Sequence, residues 1–331
     1  MKPRIITHGH CLDGFSSAFM FKKYFCPMLG LPADMEVITV SPTDVELELV
    51  EICEIDIVLD LPRPKIKVAM WIDHHTTNRP TEEVKDYYWR LTPSCTGLMV
   101  DLLVERGIAL PPSVLEFRKV LDKVDMATYT LEEYKECFFA PADWGNLSLL
   151  QQTIVVSTLF QTRDRNLNDE MIKYLLGSDL GEIPTLCSWF ESAYAMVFYR
   201  AYLQSLEDWR TFMDQYFVYD PLSKCVIQDD RKLVEKRGLV DRFYVYYKFL
   251  ESSYGLNIKQ VDDRTARIGF GCNVFFKVRN KVDVGAICKQ VGREFGEGSG
   301  GGHREVGGAT VLLEKADAAV EFILKKLREA A

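Results

Sequence analysis

The sequence predicts an α/β protein: a doubly wound parallel-sheet N-terminal domain, a mostly helical connector and a smaller α/β C-terminal domain, with the working cleft expected between the two domains. Three observations carry this expectation. The chain has 331 residues, beyond the usual span of one domain. Its first hundred residues alternate short β-rich runs with helical patterns. From Leu131 to about Met213 the pattern turns helical, and β character returns after Gln215. The expected divisions are residues 1–190, 191–214 and 215–331.

Taken in order, Ile5-Ile6-Thr7 reads as the first strand and precedes a helix from Gly14 to Phe25. Further strands are expected at Glu36–Val40, Ile55–Leu59 and Val68–Ile72. Thr96–Arg106 and Ser113–Val124 carry apolar residues at helical spacing, with Ser113 as the expected cap. In the connector, Trp189, Phe190, Tyr194, Phe198 and Tyr199 read as packing residues rather than a base-stacking platform. The last domain is expected to use strands at Tyr216–Tyr219, Ala266–Gly269, Val274–Val278 and Thr310–Leu313, with a glycine-rich loop from Gly298 to Gly302. Its final helix is amphipathic, with Ala316, Ala319, Val320, Ile323, Leu324 and Leu327 on one face.

Composition narrows the functional classes. Hydrophobic residues make up 47% and charged residues 27%, no apolar run is long enough to span a bilayer, and Met1-Lys2-Pro3 opens no cleavable leader. A cytoplasmic protein without membrane partners is the expectation. Nine cysteines are scattered singly with no CxxC pair, which suits a reducing compartment better than a disulfide framework or a structural zinc site. A net charge of -8 argues against coating long duplexes, which is done by neutralising many phosphates. A short or small anionic ligand stays open, since metal ions and a few arginines can hold phosphate locally.

The five histidines fall in three short segments: His8 and His10, His74 and His75, and His303. Packing histidines would be scattered, whereas ligands and acid/base groups must gather where the chain converges. Thr7-His8-Gly9-His10-Cys11-Leu12-Asp13-Gly14 lies between a strand and a helix, Asp60 follows the strand ending at Leu59, and Asp73-His74-His75 follows the strand ending at Ile72. The carboxyl ends of parallel strands form the crevice that open α/β sheets use for ligands. Imidazoles and carboxylates together suit divalent ions such as manganese. Two such ions sharing a carboxylate meet the needs of in-line phosphoester hydrolysis.

The segments His8-x-x-Cys11-x-Asp13-Gly14, Leu59-Asp60, Asp73-His74-His75 and Gly300-Gly301-Gly302-His303 occur in that order. Together they resemble the DHH phosphoesterase superfamily with a C-terminal DHHA1 domain, over nearly the whole chain. Val278-Arg279-Asn280 is similar to its arginine-bearing strand, and Val124-Asp125-Met126 to its fourth acidic motif. The resemblance implies His8, Asp13, Asp60, His74 and Asp125 as metal ligands, with Asp60 bridging. It implies Asp73 as the group that orients a histidine and His75 as the one facing the scissile phosphate. It further implies Arg279 and His303 as a phosphate clamp, with Gly300, Gly301 and Gly302 letting backbone N–H groups approach the substrate. Two manganese ions are implied, with magnesium or another divalent ion as a substitute.

Cys11 departs from the pattern, standing where the family has the first aspartate of its opening motif. Three arrangements are open: Cys11 ligates as thiolate, His10 replaces it, or one ion binds tightly and the second arrives with substrate. A variant branch of the superfamily carries a similar pattern. Plain packing is the alternative for Cys11, and a turn-capping role the alternative for His10. Asp122, three residues before Asp125, is the fallback for the acidic ligand. Cys95, flanked by Ser94 and Thr96 at an expected helix start, reads as part of a cap whose N–H groups could serve an anion, with a nucleophilic thiol as the rival.

The expected activity is metal-dependent hydrolysis of phosphodiester or phosphomonoester bonds in short oligonucleotides or small phosphorylated nucleotides, as in nanoRNase-like members. Cyclic dinucleotides, longer single strands, nucleoside bisphosphates and polyphosphate are alternatives within the class. A noncatalytic nucleotide-sensing module is the reading from another class, and a homodimer is compatible with either.

Overall fold

The computed structural model describes residues 2–9, 11–32, 34–138, 148–160, 216–232 and 243–330. The chain divides into two compact units, Met1–Leu203 and Gln204–Ala331. The divisions expected at 190/191 and 214/215 lie outside the described residues, as do the five connector aromatics and His10.

The first unit is built on five parallel strands, β1 (Arg4–His8), β2 (Glu36–Val40), β3 (Ile57–Leu59), β4 (Met70–Asp73) and β5 (Tyr87–Trp89), in the order β2-β1-β3-β4-β5. The helices are α1 (Leu12–Met20), which runs through a π-helical turn at Phe21–Phe25 into α2 (Cys26–Leu29), then α3 (Pro42–Glu46), α4 (Cys95–Glu105), α5 (Pro112–Asp125), α6 (Leu131–Phe138) and α7 (Leu149–Phe160). Ile6 of β1 packs with Val58, Trp71 and Val45 of α3, whereas Thr7 donates through Oγ1 to the carbonyl of Gly14 in α1 at 2.6 Å. Successive residues of a strand face opposite sides. α3 and α1 therefore cover opposite faces, and the expected double winding is present.

In this order the chain leaves β1 for β2 on one side and returns to β3 on the other. The reversal opens a crevice at the carboxyl ends of β1 and β3, where α/β sheets of this order bind ligands.

The second unit is a six-stranded mixed sheet of β6 (Phe217–Asp220), β7 (Cys225–Asp229), β8 (Tyr254–Gln260), β9 (Thr265–Cys272), β10 (Gly300–Gly302) and β11 (Val306–Leu312), in the order β10-β11-β9-β8-β7-β6. Among the described strands only the β7–β8 pair is parallel. With α8 (Tyr244–Lys248), α9 (Val284–Phe295) and α10 (Ala316–Ala330) it forms an α/β unit. α9 and α10 supply Val284, Cys288, Val291, Ala319, Ile323 and Leu327 to the core against Leu256, Ile258, Ile268 and Val311.

Three expectations are corrected here. Val274–Val278 is not a strand: Val274–Arg279 forms 3-10 turns with a kink at Phe276. Asn273 ends β9 by accepting from the N–H of Phe275 at 3.1 Å while its amide donates to the carbonyl of Ser252 at 3.1 Å. Gly298–Gly302 is not all loop, because Gly300–Gly302 pairs with Gly307–Ala309 as an edge strand. Ser113 does not cap α5. Pro111 holds that position and Pro112 begins the helix, where a missing N–H costs nothing.

Candidate metal centre

Four segments build the centre, and each is placed by backbone constraints. His8 ends β1, and α1 starts so close to it that a Cβ on Gly14 would lie 2.2 Å from the His8 carbonyl oxygen. That approach seats Asp13, 1% exposed, beneath the strand end. Asp60, immediately after β3, takes the left-handed conformation at φ 55, with its N–H bonded to the carbonyl of Ile72 at 2.9 Å. Left-handed backbone is unusual outside glycine and tends to persist where a side chain must be aimed at a functional site.

Asp60 is the hub. Its Oδ2 lies 3.3 Å from His8 Nδ1, and its Oδ1 lies 3.4 Å from His74 Nε2 and 3.7 Å from His75 Nδ1. His74 Nε2 also lies 3.6 Å from Asp13 Oδ2 and 3.7 Å from Asp125 Oδ2. Cys11 Sγ is 3.9 Å from Asp125 Oδ1. Three donor groups result, His8-Cys11-Asp60, Asp60-His74-His75 and Asp13-His74-Asp125, each with ligand atoms within 4.8 Å of one another.

The surrounding contacts orient these donors. The Nδ1 of His74 is 3.0 Å from the Thr92 carbonyl, which can only accept, so Nδ1 carries a proton and Nε2 is the nitrogen turned to the carboxylates, free to ligate metal once its own proton is displaced. His75 Nδ1 is 2.7 Å from Asp73 Oδ1, and Asn78 donates to Asp73 Oδ2 at 2.7 Å. Both oxygens of Asp73 are thus engaged, and the histidine it orients is His75. Asp13 accepts the N–H groups of Cys95 and Thr96 at 2.7 and 2.9 Å, taking the free donors at the start of α4. The anion served by that helix start is Asp13 itself. Ser94 caps α4 by accepting from the N–H of Gly97 at 2.8 Å. The Cys95 thiol is buried, and burial with the charges of Asp13 and Asp60 pushes it well above its ordinary range, so it is no nucleophile.

Asp122 and Asp125 are also told apart. Asp122 accepts from Ser94 Oγ at 2.5 Å and from Arg118 Nε at 3.1 Å, whereas Asp125 reaches His74 and Cys11.

The electrostatics are those of acids crowded out of water. Burial, reinforced by the charges of Asp60 and Asp125, raises the Asp13 carboxyl to about 8. Burial alone would raise Asp60 too, but the imidazoles of His74 and His8 and the charge of His75 outweigh it and hold Asp60 well below the usual carboxylate range. For His74 burial works downward, and the carboxylates of Asp60, Asp13 and Asp125 overcome it, raising the imidazole to about 11. Burial likewise opposes the rise of His75, which Asp73 carries to about 9. Burial and three aspartates push the Cys11 thiol well above its ordinary range.

The donors fit divalent metal. Both carboxylate oxygens of Asp60 and the Nδ1 of His8 are buried without a hydrogen-bond partner among the described residues, although buried polar atoms are almost always paired. A cation between them supplies the missing partner, and the mixed nitrogen and oxygen donors suit manganese or a similar ion. Residues expected in the second unit stand as follows. Arg279 donates through Nη1 to the Leu250 carbonyl at 2.6 Å and lies over the ring of Phe276 at 3.9 Å. A Cβ on Gly300 would lie 2.3 Å from the Cys288 carbonyl oxygen, and one on Gly302 2.3 Å from that of Val306. Glycine at these two positions is therefore already required by packing of α9 and β11 against β10. The His303 N–H donates to the Val306 carbonyl at 2.7 Å.

Sequence reading missed Thr92 and Asn78, whose groups hold His74 and Asp73, and foresaw an anion at the start of α4 without identifying it as Asp13. Ser94 and Thr96 were the available signal for that helix start. No helix among the described residues is long and apolar enough to cross a membrane.

No family profile matches the sequence, and no curated protein matches it. Solved structures do. The pGpG-specific phosphodiesterase PggH from Vibrio cholerae is 17% identical with a TM-score of 0.66, covering 100% of both chains. A DHH domain described as a member of the s1p family of ribosomal proteins is 13% identical with a TM-score of 0.63, covering 99% of this chain and 87% of that one. RecJ from Thermus thermophilus in complex with Mn2+ is 16% identical with a TM-score of 0.55, covering 98% of this chain and 52% of that one. The likeness shows that the chain has the DHH fold.

Proposed function

We propose that this chain is a divalent-metal-dependent phosphoesterase of the DHH superfamily, cleaving phosphodiester or phosphomonoester bonds in short oligonucleotides or small nucleotides. The observation that carries the reading is the convergence of three donor groups, linked through Asp60 and His74, at the strand reversal of the sheet. Likeness in fold to a pGpG phosphodiesterase and to a manganese-bound RecJ supports it.

In this reading His8, Cys11 and Asp60 would hold one ion and Asp13, His74 and Asp125 the other, with Asp60 shared between them. The distances among these donors support that division. Bound there, the ions supply Lewis acidity toward a phosphoryl oxygen and toward water. His75, its Nδ1 proton held on Asp73, keeps Nε2 to exchange a proton with the reacting phosphate ester. Arg279 and His303 hold a substrate phosphate, a role for which a planar guanidinium is suited. Manganese as the natural ion and a cytoplasmic setting belong to the same proposal, the latter supported by the free thiols among the described residues.

The test is hydrolysis of a dinucleotide, a longer single strand, a cyclic dinucleotide, a nucleoside bisphosphate and polyphosphate, each with manganese and with chelator. The proposal expects chelator-sensitive cleavage of the dinucleotide. Metal-loaded protein that cleaves none of the five would contradict it and favour a sensing role.

A further inference from the structure

Strand β5 is one of the two edge strands of the first sheet among the described residues, and its sequence Tyr87-Tyr88-Trp89 is covered by arginines. Arg63 lies over the ring of Tyr87 at 5.0 Å, Arg106 over Tyr88 at 5.2 Å and Arg79 over Trp89 at 5.5 Å. Residues two apart on a strand share a face, so Tyr87 and Trp89 line one side and Tyr88 the other. The two sides differ in charge balance. On the Tyr88 side Arg106 is tied to the Leu102 carbonyl and the Tyr88 hydroxyl, and nearby Arg90 is neutralised by both oxygens of Glu105. On the other side Arg79 is exposed and has no carboxylate within ion-pair distance among the described residues. Arg63 has only a 3.8 Å contact with Glu82, itself 70% exposed, a pairing that water screens heavily.

This side connects to the metal centre. Trp89 donates its indole N–H to the carbonyl of His75 at 2.9 Å, and Arg79 stands four residues after His75, beyond the turn at Thr76–Asn78. Stacking on the rings holds both guanidiniums in place without consuming their N–H donors. The two aromatic anchors are roughly 6.6 Å apart along the strand, a spacing comparable to that of successive phosphates in an extended chain.

We infer that Arg79 on Trp89 and Arg63 on Tyr87 form an anion track that holds the phosphates of a single-stranded oligonucleotide beyond the one at the metal centre. The inference rests on the phosphoesterase reading for the placement of the first phosphate. It deepens that reading by making the substrate a linear chain of several nucleotides. In an acidic protein, Arg79 without a carboxylate partner among the described residues and Arg63 with only a screened one supply local attraction for a polyanion where the net charge of -8 does not.

The experiment measures binding of phosphorothioate-linked adenylate oligonucleotides of two and five residues, which resist cleavage, to the full chain loaded with manganese, at several salt concentrations. Polyphosphate of matched charge runs alongside. The track predicts that the pentanucleotide binds about tenfold more tightly than the dinucleotide. Arg79→Gln with Arg63→Gln should remove that gain and lower the salt slope by about 0.7 for each phosphate that is no longer neutralised. Lys326→Ala on α10 is the control for loss of charge as such, and thermal melts confirm that the variants fold. Length-independent binding by the wild type, or a length gain that survives the double substitution, overturns the track. A gain shared by polyphosphate supports phosphates as the groups held, and a gain confined to the oligonucleotide supports the track with base stacking on the guanidiniums added. Length-dependent binding without turnover of the unmodified oligonucleotides under manganese supports the track while contradicting the phosphoesterase reading.

Discussion

At the scale of single residues, the two acids at the end of α5 are placed differently, one in the donor cluster and the other in its scaffold. Asp125 lies 3.7 Å from His74 Nε2, while Asp122 is spent on Ser94 and Arg118. Asp125→Asn should therefore lower metal affinity at least tenfold with little change in melting temperature. Asp122→Asn should do the reverse, costing about 1–3 kcal/mol through its buried partners. Titration calorimetry and thermal melts on both variants check this. Protonation gives a second prediction. Asp13 raised to about 8, His74 raised to about 11 and the Cys11 thiol, pushed well above its ordinary range, all carry protons near neutral pH, and metal held by these groups must displace them. Affinity then rises as pH increases from 6 to 8, with close to three protons released per chain at pH 7. Calorimetry in buffers of different ionisation enthalpy counts them, and uptake without proton release would contradict the shared ligand set. From the sequence, the histidines and aspartates that the structure brings together were legible because chemistry restricts the residue types. The choice between Asp122 and Asp125 was legible only through the resemblance, since helical spacing puts both on one face and their partners are distant in the chain. Thr92 and Asn78 were not legible, because a backbone carbonyl has no residue signature and an asparagine in a turn has many uses.

At the scale of elements, close approach of backbone explains the glycines. A Cβ at Gly14 would stand 2.2 Å from the His8 carbonyl oxygen, so Gly14→Ala has to push α1 away from β1 and carry Asp13 with it. The expected cost is about 3 kcal/mol, with a loss of metal affinity that thermal melts alone would not reveal. Gly300→Ala, 2.3 Å from the Cys288 carbonyl, should destabilise the second unit comparably and leave metal affinity unchanged. Chemical denaturation followed by metal titration on both variants tests the pair. Parallel strands buried on both faces, such as β3, read clearly as apolar runs. β5 did not, because three exposed-edge aromatics among polar neighbours give no alternation to read. Val274–Arg279 looked like a strand because Val, Phe and Lys alternate there, but Asn273 terminates β9 first and none of the six residues is buried.

At the scale of the whole molecule, the proposed ligands all belong to the first unit, so metal should stabilise that unit alone. At a hundred times the dissociation constant the gain is about 2.7 kcal/mol, visible as a shift of one calorimetric transition by roughly 5–10 °C. The Gln204–Ala331 unit should melt unchanged, and equal shifts of both transitions would contradict the assignment. The two-unit organisation was legible from length and from the return of β character. The mixed sheet of the second unit was not, because β7 and β8 are joined as parallel neighbours through residues whose pattern carries no strand signal.

The most direct test of the central claim is the metal content of the wild type and of Asp60→Asn, measured by mass spectrometry after loading with manganese and removal of excess. With Asp60 proposed as the ligand shared by both ions, two ions per chain are predicted in the wild type and the loss of both in the variant. Two ions retained by Asp60→Asn would contradict it.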